Sequence, residues 1–166
     1  MAGSLIVTAE IAPRDFSWIE GLRRAHYPFD RNRVPAHLTI FHALPPSAEA
    51  ELRHRLAKMV QRRPPEAQIA GLLDLCGGVA FRVVSSDLDR MREELAVDLH
   101  GLLGAQDSSG WRPHVTIQNK VPPKVARALK EQLERSFAPR ALAISGLAIQ
   151  RYAGGPWEQA ALYPFR

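Results

Sequence analysis

The chain has 166 residues, 46% of them apolar, with 22 Lys+Arg against 17 Asp+Glu for a net charge of +5. That hydrophobicity argues against disorder, and the length suits one compact domain or two small lobes sharing a core, so residues 1–166 are read as a single bilobal unit. The lone cysteine, Cys76, excludes an internal disulfide and any CxxC metal cluster, and no apolar run approaches the roughly 20 residues needed to span a bilayer.

Met1-Ala2-Gly3-Ser4 has no basic stretch and no long apolar run behind it, so it does not read as a signal peptide. Together with the single cysteine this places the chain in a reducing cytoplasm, without a membrane partner. Ser4 to Glu10 reads as a strand centred on Leu5-Ile6-Val7. Pro13 opens a helix to about His26, with Phe16, Ile19 and Leu22 at helical spacing. A loop from Tyr27 to Pro35 leads into a buried strand, Ala36 to Leu44. Pro45-Pro46 ends that strand, and Ser47 is the expected N-cap of a helix to about Arg62.

Ala67 to Leu75 is an apolar strand, with Cys76 expected to be buried and inert. Gly77-Gly78 turns the chain into a second strand, Val79 to Val84. Ser86 or Asp87 is expected to cap a helix whose apolar stripe is Leu88, Met91, Leu95, Leu99 and Leu102. Ala105 to Arg112 reads as polar loop, and Pro113 to Asn119 as a strand. Pro122-Pro123 opens a helix to about Phe137. Ala141 to Tyr152 and Trp157 to Tyr163 read as a hairpin around Gly154-Gly155-Pro156. The glycine turns join neighbouring strands as antiparallel hairpins, so the fold class is α+β with antiparallel strands rather than a parallel α/β sheet.

The sequence repeats. His37-Leu38-Thr39-Ile40 recurs 77 positions later as His114-Val115-Thr116-Ile117, and the same shift carries Leu5-Ile6-Val7 onto Arg82-Val83-Val84. A strand-helix-strand unit therefore occurs twice, which predicts a pseudo-two-fold pair of lobes. Strand alternation puts His37, Thr39 and Phe41 on one face, and His114, Thr116 and Gln118 on the equivalent face. His42 falls on the opposite face. Polar His-x-Thr pairs on otherwise apolar strands need a partner, and two symmetric lobes would bring both pairs to one cleft.

Two imidazoles facing one cleft divide general-acid and general-base work near neutral pH. The hydroxyls of Thr39 and Thr116 are placed to donate to a phosphoryl oxygen between the rings. In-line displacement at a 2′,3′-cyclic phosphate needs that base, that acid and no metal or other cofactor. The cations are 18 Arg against 4 Lys, a bias that suits a phosphate-bearing ligand. Arg31 and Arg33, just before the first motif, are candidate phosphate clamps. Tyr27, Phe29 and Trp157 are candidates to stack a base.

The paired H-x-T-hydrophobic motifs resemble the 2H phosphoesterase superfamily, and within it the 2′-5′ RNA ligase-like (LigT-like) proteins, over nearly the whole chain. The resemblance implies a bilobal α+β fold, with two antiparallel sheets lining a central cleft and helices outside. It implies His37 and His114 as the catalytic pair and Thr39 and Thr116 as phosphate ligands. The implied activity is hydrolysis of a 2′,3′-cyclic phosphate or 2′-5′ phosphodiester in RNA or nucleotides, with 2′-5′ end-joining as the reverse reaction. The implied partners are RNA ends or small cyclic nucleotides, with a monomer as the default. Many ligase-like members follow the second motif with Ala-Arg, whereas this chain has Gln118-Asn119-Lys120. It also has Phe41-His42-Ala43 after the first motif, and both departures favour hydrolysis over joining. An RNA-end or nucleotide-binding module without chemistry is the alternative.

Overall fold

Residues 3–166 are described by a computed structural model; Met1 and Ala2, where the segment read as lacking a leader begins, lie outside the described residues. Strand β1 (Ser4–Ile11) is followed by helix α1 (Pro13–His26), whose Pro13 occupies the first turn, where a missing N–H costs nothing. Strand β2 (Leu38–Leu44) and helix α2 (Glu49–Met59) come next, then the hairpin of β3 (Gln68–Asp74) and β4 (Val79–Val84). Helix α3 (Ser86–Asp98), a short helix α4 (Ala105–Ser108), strand β5 (His114–Gln118) and helix α5 (Pro123–Glu134) follow. The chain closes with β6 (Arg140–Ala141), β7 (Ile144–Tyr152) and β8 (Glu158–Pro164).

The strands form two four-stranded sheets, ordered β2-β1-β7-β8 and β5-β4-β3-β6, and every described pairing is antiparallel. The α+β reading with two antiparallel sheets therefore holds. The duplication is visible in the topology. Each motif strand, β2 or β5, is an edge, and the first strand of its repeat, β1 or β4, lies beside it. The next long strand of each repeat crosses over: β3 joins the second sheet and β7 the first. Neither repeat completes a sheet by itself, so the two are interlocked. One apolar core runs from Leu5, Val7 and Phe41 in the first sheet to Phe81, Val115 and Ile117 in the second.

The structure departs from the sequence reading at several local points. Ser47 does not cap α2; Pro46–Ala48 is a 3₁₀ turn, and the helix begins at Glu49 without a side-chain cap. The cap of α3 is Ser85, one residue earlier than expected: its Oγ accepts from the Leu88 amide at 3.0 Å and donates to the Glu66 carbonyl at 2.5 Å. Leu102 lies outside the buried stripe and is exposed. Cys76 is exposed, at φ 68° in the β3–β4 turn, because the turn geometry rather than strand alternation sets its direction. Gly78 in that turn is obligatory: a Cβ there would lie 1.9 Å from the Gln118 carbonyl oxygen.

The segment read as polar loop contains α4, and its Asp107 is 3% exposed. Asp107 accepts from the His42 amide at 2.8 Å, the Ala43 amide at 3.0 Å and the His42 ring Nδ1 at 3.2 Å. Burial alone would raise its pKa, but those donors hold it below the ordinary carboxylate value. Asp107→Ala strands two strand amides and is expected to cost about 3 kcal/mol, read as a lower urea midpoint. Because the folded pKa is depressed, this contribution is present above pH 3.8, the ordinary value, and is lost as pH falls through the folded one.

Candidate active site

The two edge strands that carry the repeated motifs face each other across the seam between the sheets, with Cα atoms of β2 and β5 within 8 Å. The histidines are mounted identically. His37 Nδ1 donates to the Pro35 carbonyl at 2.7 Å, and His114 Nδ1 donates to the Arg112 carbonyl at 2.7 Å. A carbonyl can only accept, so each bond puts a proton on Nδ1 and leaves Nε2 available for chemistry. Both rings are partly buried.

Burial lowers the pKa of His37 to about 4. The Pro35 carbonyl opposes the shift, and the positive charges of Arg23, His114 and His42 add to it. The Trp157 ring leans on His37, with centroids 4.8 Å apart and a 53° tilt, and walls off one side of the imidazole. On the same sheet Thr39 pairs with Thr8 of β1, and Thr8 donates to Glu10 Oε2 at 3.0 Å. Cross-strand partners share a face, so a polar row runs across the first sheet beside the first motif. In the second sheet, His114 pairs with Arg82 in the same way. Neither the Thr39 nor the Thr116 hydroxyl makes a hydrogen bond among the described residues.

Strict alternation fails one step beyond each motif. The β1–β2 register slips between Val7–Phe41 and Thr8–Thr39, leaving Ile40 unpaired and turning Phe41 into the core. The β4–β5 register slips in the same way at Ile117. Gln118 is then buried, with Nε2 3.4 Å from the carbonyl of His26. Phe41 and Gln118, expected on the cleft face with the histidines, are therefore packed residues. His42, read from alternation as facing away from His37, follows the slip at Ile40, so period two no longer sets its face; its ring Nδ1 is bonded to Asp107 at 3.2 Å.

Several residues that support the site were not picked out from sequence. Arg23 of α1, only 3% exposed, donates to the Thr116 carbonyl of β5 at 2.6 Å. It also holds Asn32 Oδ1 at 2.8 Å and the Val34 carbonyl at 2.5 Å in the loop before the first motif. Glu20 lies 3.0 Å from its Nε, and the Tyr27 ring lies under its guanidinium at 4.9 Å. Arg92 of α3 does the reciprocal job, donating to the Ile40 carbonyl of β2 at 3.1 Å and stacking on Phe41 and Trp111. Trp111 Nε1 takes the neighbouring Thr39 carbonyl at 2.9 Å. The one sequence sign of these roles was an arginine inside each amphipathic helix.

Arg33 stands apart from the histidines, in a cavity of about 430 Å³ lined with Asp30, Arg31 and Lys120. A larger groove of about 1410 Å³, lined by Trp18, Phe81 and Arg140 among others, takes in none of the motif residues. Among the described residues no cluster of three His, Cys, Asp or Glu could hold a metal ion, and no helix is long and apolar enough to cross a membrane.

The sequence profile of the 2′-5′ RNA ligase superfamily matches residues 10–156. Among solved structures, TT0787 of Thermus thermophilus is similar with a TM-score of 0.69 at 16% identity, over 98% of each chain. E. coli LigT complexed with 3′-AMP is similar with a TM-score of 0.62 at 14% identity, over 99% of each chain. A protein described as a phosphoesterase gives 0.59 at 13% identity, over 98% of each. None of the curated proteins compared with the chain matches it in sequence. The fold is that of the LigT-like 2H phosphoesterases. The chain belongs to the 2′-5′ RNA ligase superfamily.

Arg23→Met removes the donor to both the Thr116 and Val34 carbonyls while keeping most of the apolar stem. The expected loss is about 3 kcal/mol, measured by urea unfolding, with Arg23→Lys recovering only part because one ammonium cannot span the same acceptors.

Proposed function

We propose that the protein is a phosphodiesterase that opens a 2′,3′-cyclic phosphate or cleaves a 2′-5′ phosphodiester in RNA or nucleotides, with His37 and His114 as its acid-base pair. The observation that carries this reading is the mirrored mounting of the two imidazoles, each with Nδ1 on a carbonyl two residues upstream at 2.7 Å. Family membership supports it, and E. coli LigT has been crystallised with 3′-AMP, ATP and NADP+.

The depressed pKa of His37 supports reading it as the base. An imidazole with a pKa of about 4 is neutral at pH 7 and can accept a proton at Nε2. His37 takes the proton of the attacking water as its oxygen bonds to phosphorus. The bond from phosphorus to one ribose oxygen breaks, and that oxygen takes the Nε2 proton of His114. The product is a phosphomonoester beside a free hydroxyl; His37 ends protonated and His114 neutral, and exchange with solvent resets both. Thr39 and Thr116 would donate their free hydroxyls to the non-bridging oxygens. Trp157 would pack against the ribose or base, while Arg33 and the open face of Tyr27 would line the approach. The chemistry balances without a metal or other cofactor, so turnover is expected to survive exhaustive chelation.

The test is a panel of 2′,3′-cyclic nucleotides, cyclic-phosphate-ended oligoribonucleotides and 2′-5′-linked dinucleotides. His37→Ala and His114→Ala are each expected to lower kcat/KM at least about 100-fold with circular dichroism unchanged. Thr39→Val and Thr116→Val should lose about tenfold. Binding of these ligands without turnover by the wild type would leave a binding module instead.

A pH profile of kcat/KM checks the role of His37. A base must be unprotonated, so the limb it controls should fall near pH 4 rather than near 6.5, its ordinary value. A drop in the wild-type rate centred at 6.5 and traced to His37 would overturn the assignment.

A further inference from the structure

Resting on the function proposed above, we infer that the loop before the first motif and the turn after the second form a subsite for the part of an RNA strand that does not react. Its cavity, lined by Arg31, Arg33 and Lys120, takes the phosphate joining the terminal nucleotide to its neighbour, and Phe29 stacks the neighbour's base.

The cavity of about 430 Å³ carries three cations against the single carboxylate of Asp30. That carboxylate is 3.7 Å from Arg31, and the Arg33 Nε is held 3.3 Å from the Asp30 carbonyl. Each repeat contributes one wall. Arg33 precedes His37 by four residues and Lys120 follows Thr116 by four, so each backbone lies within about 14 Å of its own motif.

Both walls are set by the fold. In the first, the buried Arg23 holds the Asn32 side chain and the Val34 carbonyl, and Arg31 and Arg33 are left exposed. In the second, Lys120 adopts φ 62°, a conformation that non-glycine residues rarely take. The Asn119 side chain accepts its amide at 2.9 Å, and the next amide, Val121, is bonded to the Gly77 carbonyl at 3.1 Å. The β3–β4 turn thus sets the turn that carries Lys120.

Phe29 supplies an independent observation. It is 96% exposed, the most exposed of the large apolar side chains among the described residues, and lies next to Asp30 and two residues before Arg31. A bare aromatic ring beside a cation cluster is the combination that holds single-stranded nucleic acid, one part for the base and the other for the backbone.

The test is binding, so it does not depend on turnover. A labelled octaribonucleotide ending in a 3′-phosphate is titrated by fluorescence anisotropy, with a nucleoside 3′-phosphate and a nucleoside 3′,5′-bisphosphate as competitors. The wild type is expected to bind the octamer at least about tenfold more tightly than the 3′-phosphate. The triple variant Arg31→Ala, Arg33→Ala, Lys120→Ala should lose that gain, with a salt slope lower by about 0.7, since a single strand releases about 0.7 counterion per phosphate neutralised and the cavity takes one. Phe29→Ala should weaken the octamer about tenfold and leave both small competitors unchanged. The bisphosphate should recover the charge-dependent part alone.

Equal binding of octamer and 3′-phosphate, or variants that bind the octamer as the wild type does, would overturn the subsite. If the bisphosphate recovered the whole gain, the ligand would be a small nucleotide and the RNA assignment would fall. Hydrolysis of cyclic mononucleotides that survives a failed binding test would leave the proposed function standing. Intact octamer binding without hydrolysis would strike that function and leave the subsite.

Discussion

The site depends on how two free sheet edges are held against each other without hydrogen-bonding into one sheet. An unpaired edge exposes carbonyls that must find donors. Here the donors come from the opposite repeat. Arg23 in the first repeat takes the Thr116 carbonyl of β5; Arg92 and Trp111 in the second take the Ile40 and Thr39 carbonyls of β2. A side-chain donor satisfies the edge yet keeps the two strands a side chain's length apart. On the proposed reading, the ligand lies in that spacing, between the motifs.

Burying a guanidinium for this task is costly unless every N–H finds a partner. Arg23 comes close, with carbonyl, carboxamide and carboxylate around its plane and an aromatic ring beneath it. Lysine offers only a point charge and could not satisfy the same set. On the proposed reading, the charge also acts on the chemistry. A fixed cation behind the seam disfavours a proton on His37 and favours an anion in front of it.

Much of this was legible in the sequence, because it is written in local patterns. The repeat located both motif strands, the glycine turns gave the antiparallel pairing, and the spacing of Leu88, Met91 and Leu95 gave the buried side of α3. What was lost depends on register and tertiary contact. The slips at Ile40 and Ile117 turn Phe41 and Gln118 inward, and a period-two reading has no means of anticipating them. Asp107 looks like one polar loop residue among several until its carboxylate is seen on two strand amides. Arg23 is one of 18 arginines, and only its burial separates it from the rest.

The duplication explains why there are two histidines; departures from it explain how they differ. Both rings sit in the same backbone cradle, so the cradle cannot distinguish base from acid. The distinction arises from what each repeat adds later in the chain or beside the motif. The β7–β8 hairpin brings Trp157 onto His37, whereas the equivalent edge of the second sheet is only the two-residue β6. His114 instead has the exposed Arg82 as its cross-strand partner. An apolar wall over one ring and an exposed polar neighbour beside the other give two identical side chains different surroundings. Acid-base chemistry at phosphorus needs one neutral and one protonated imidazole, and on the proposed reading the asymmetry sits in these additions rather than in the repeated motif.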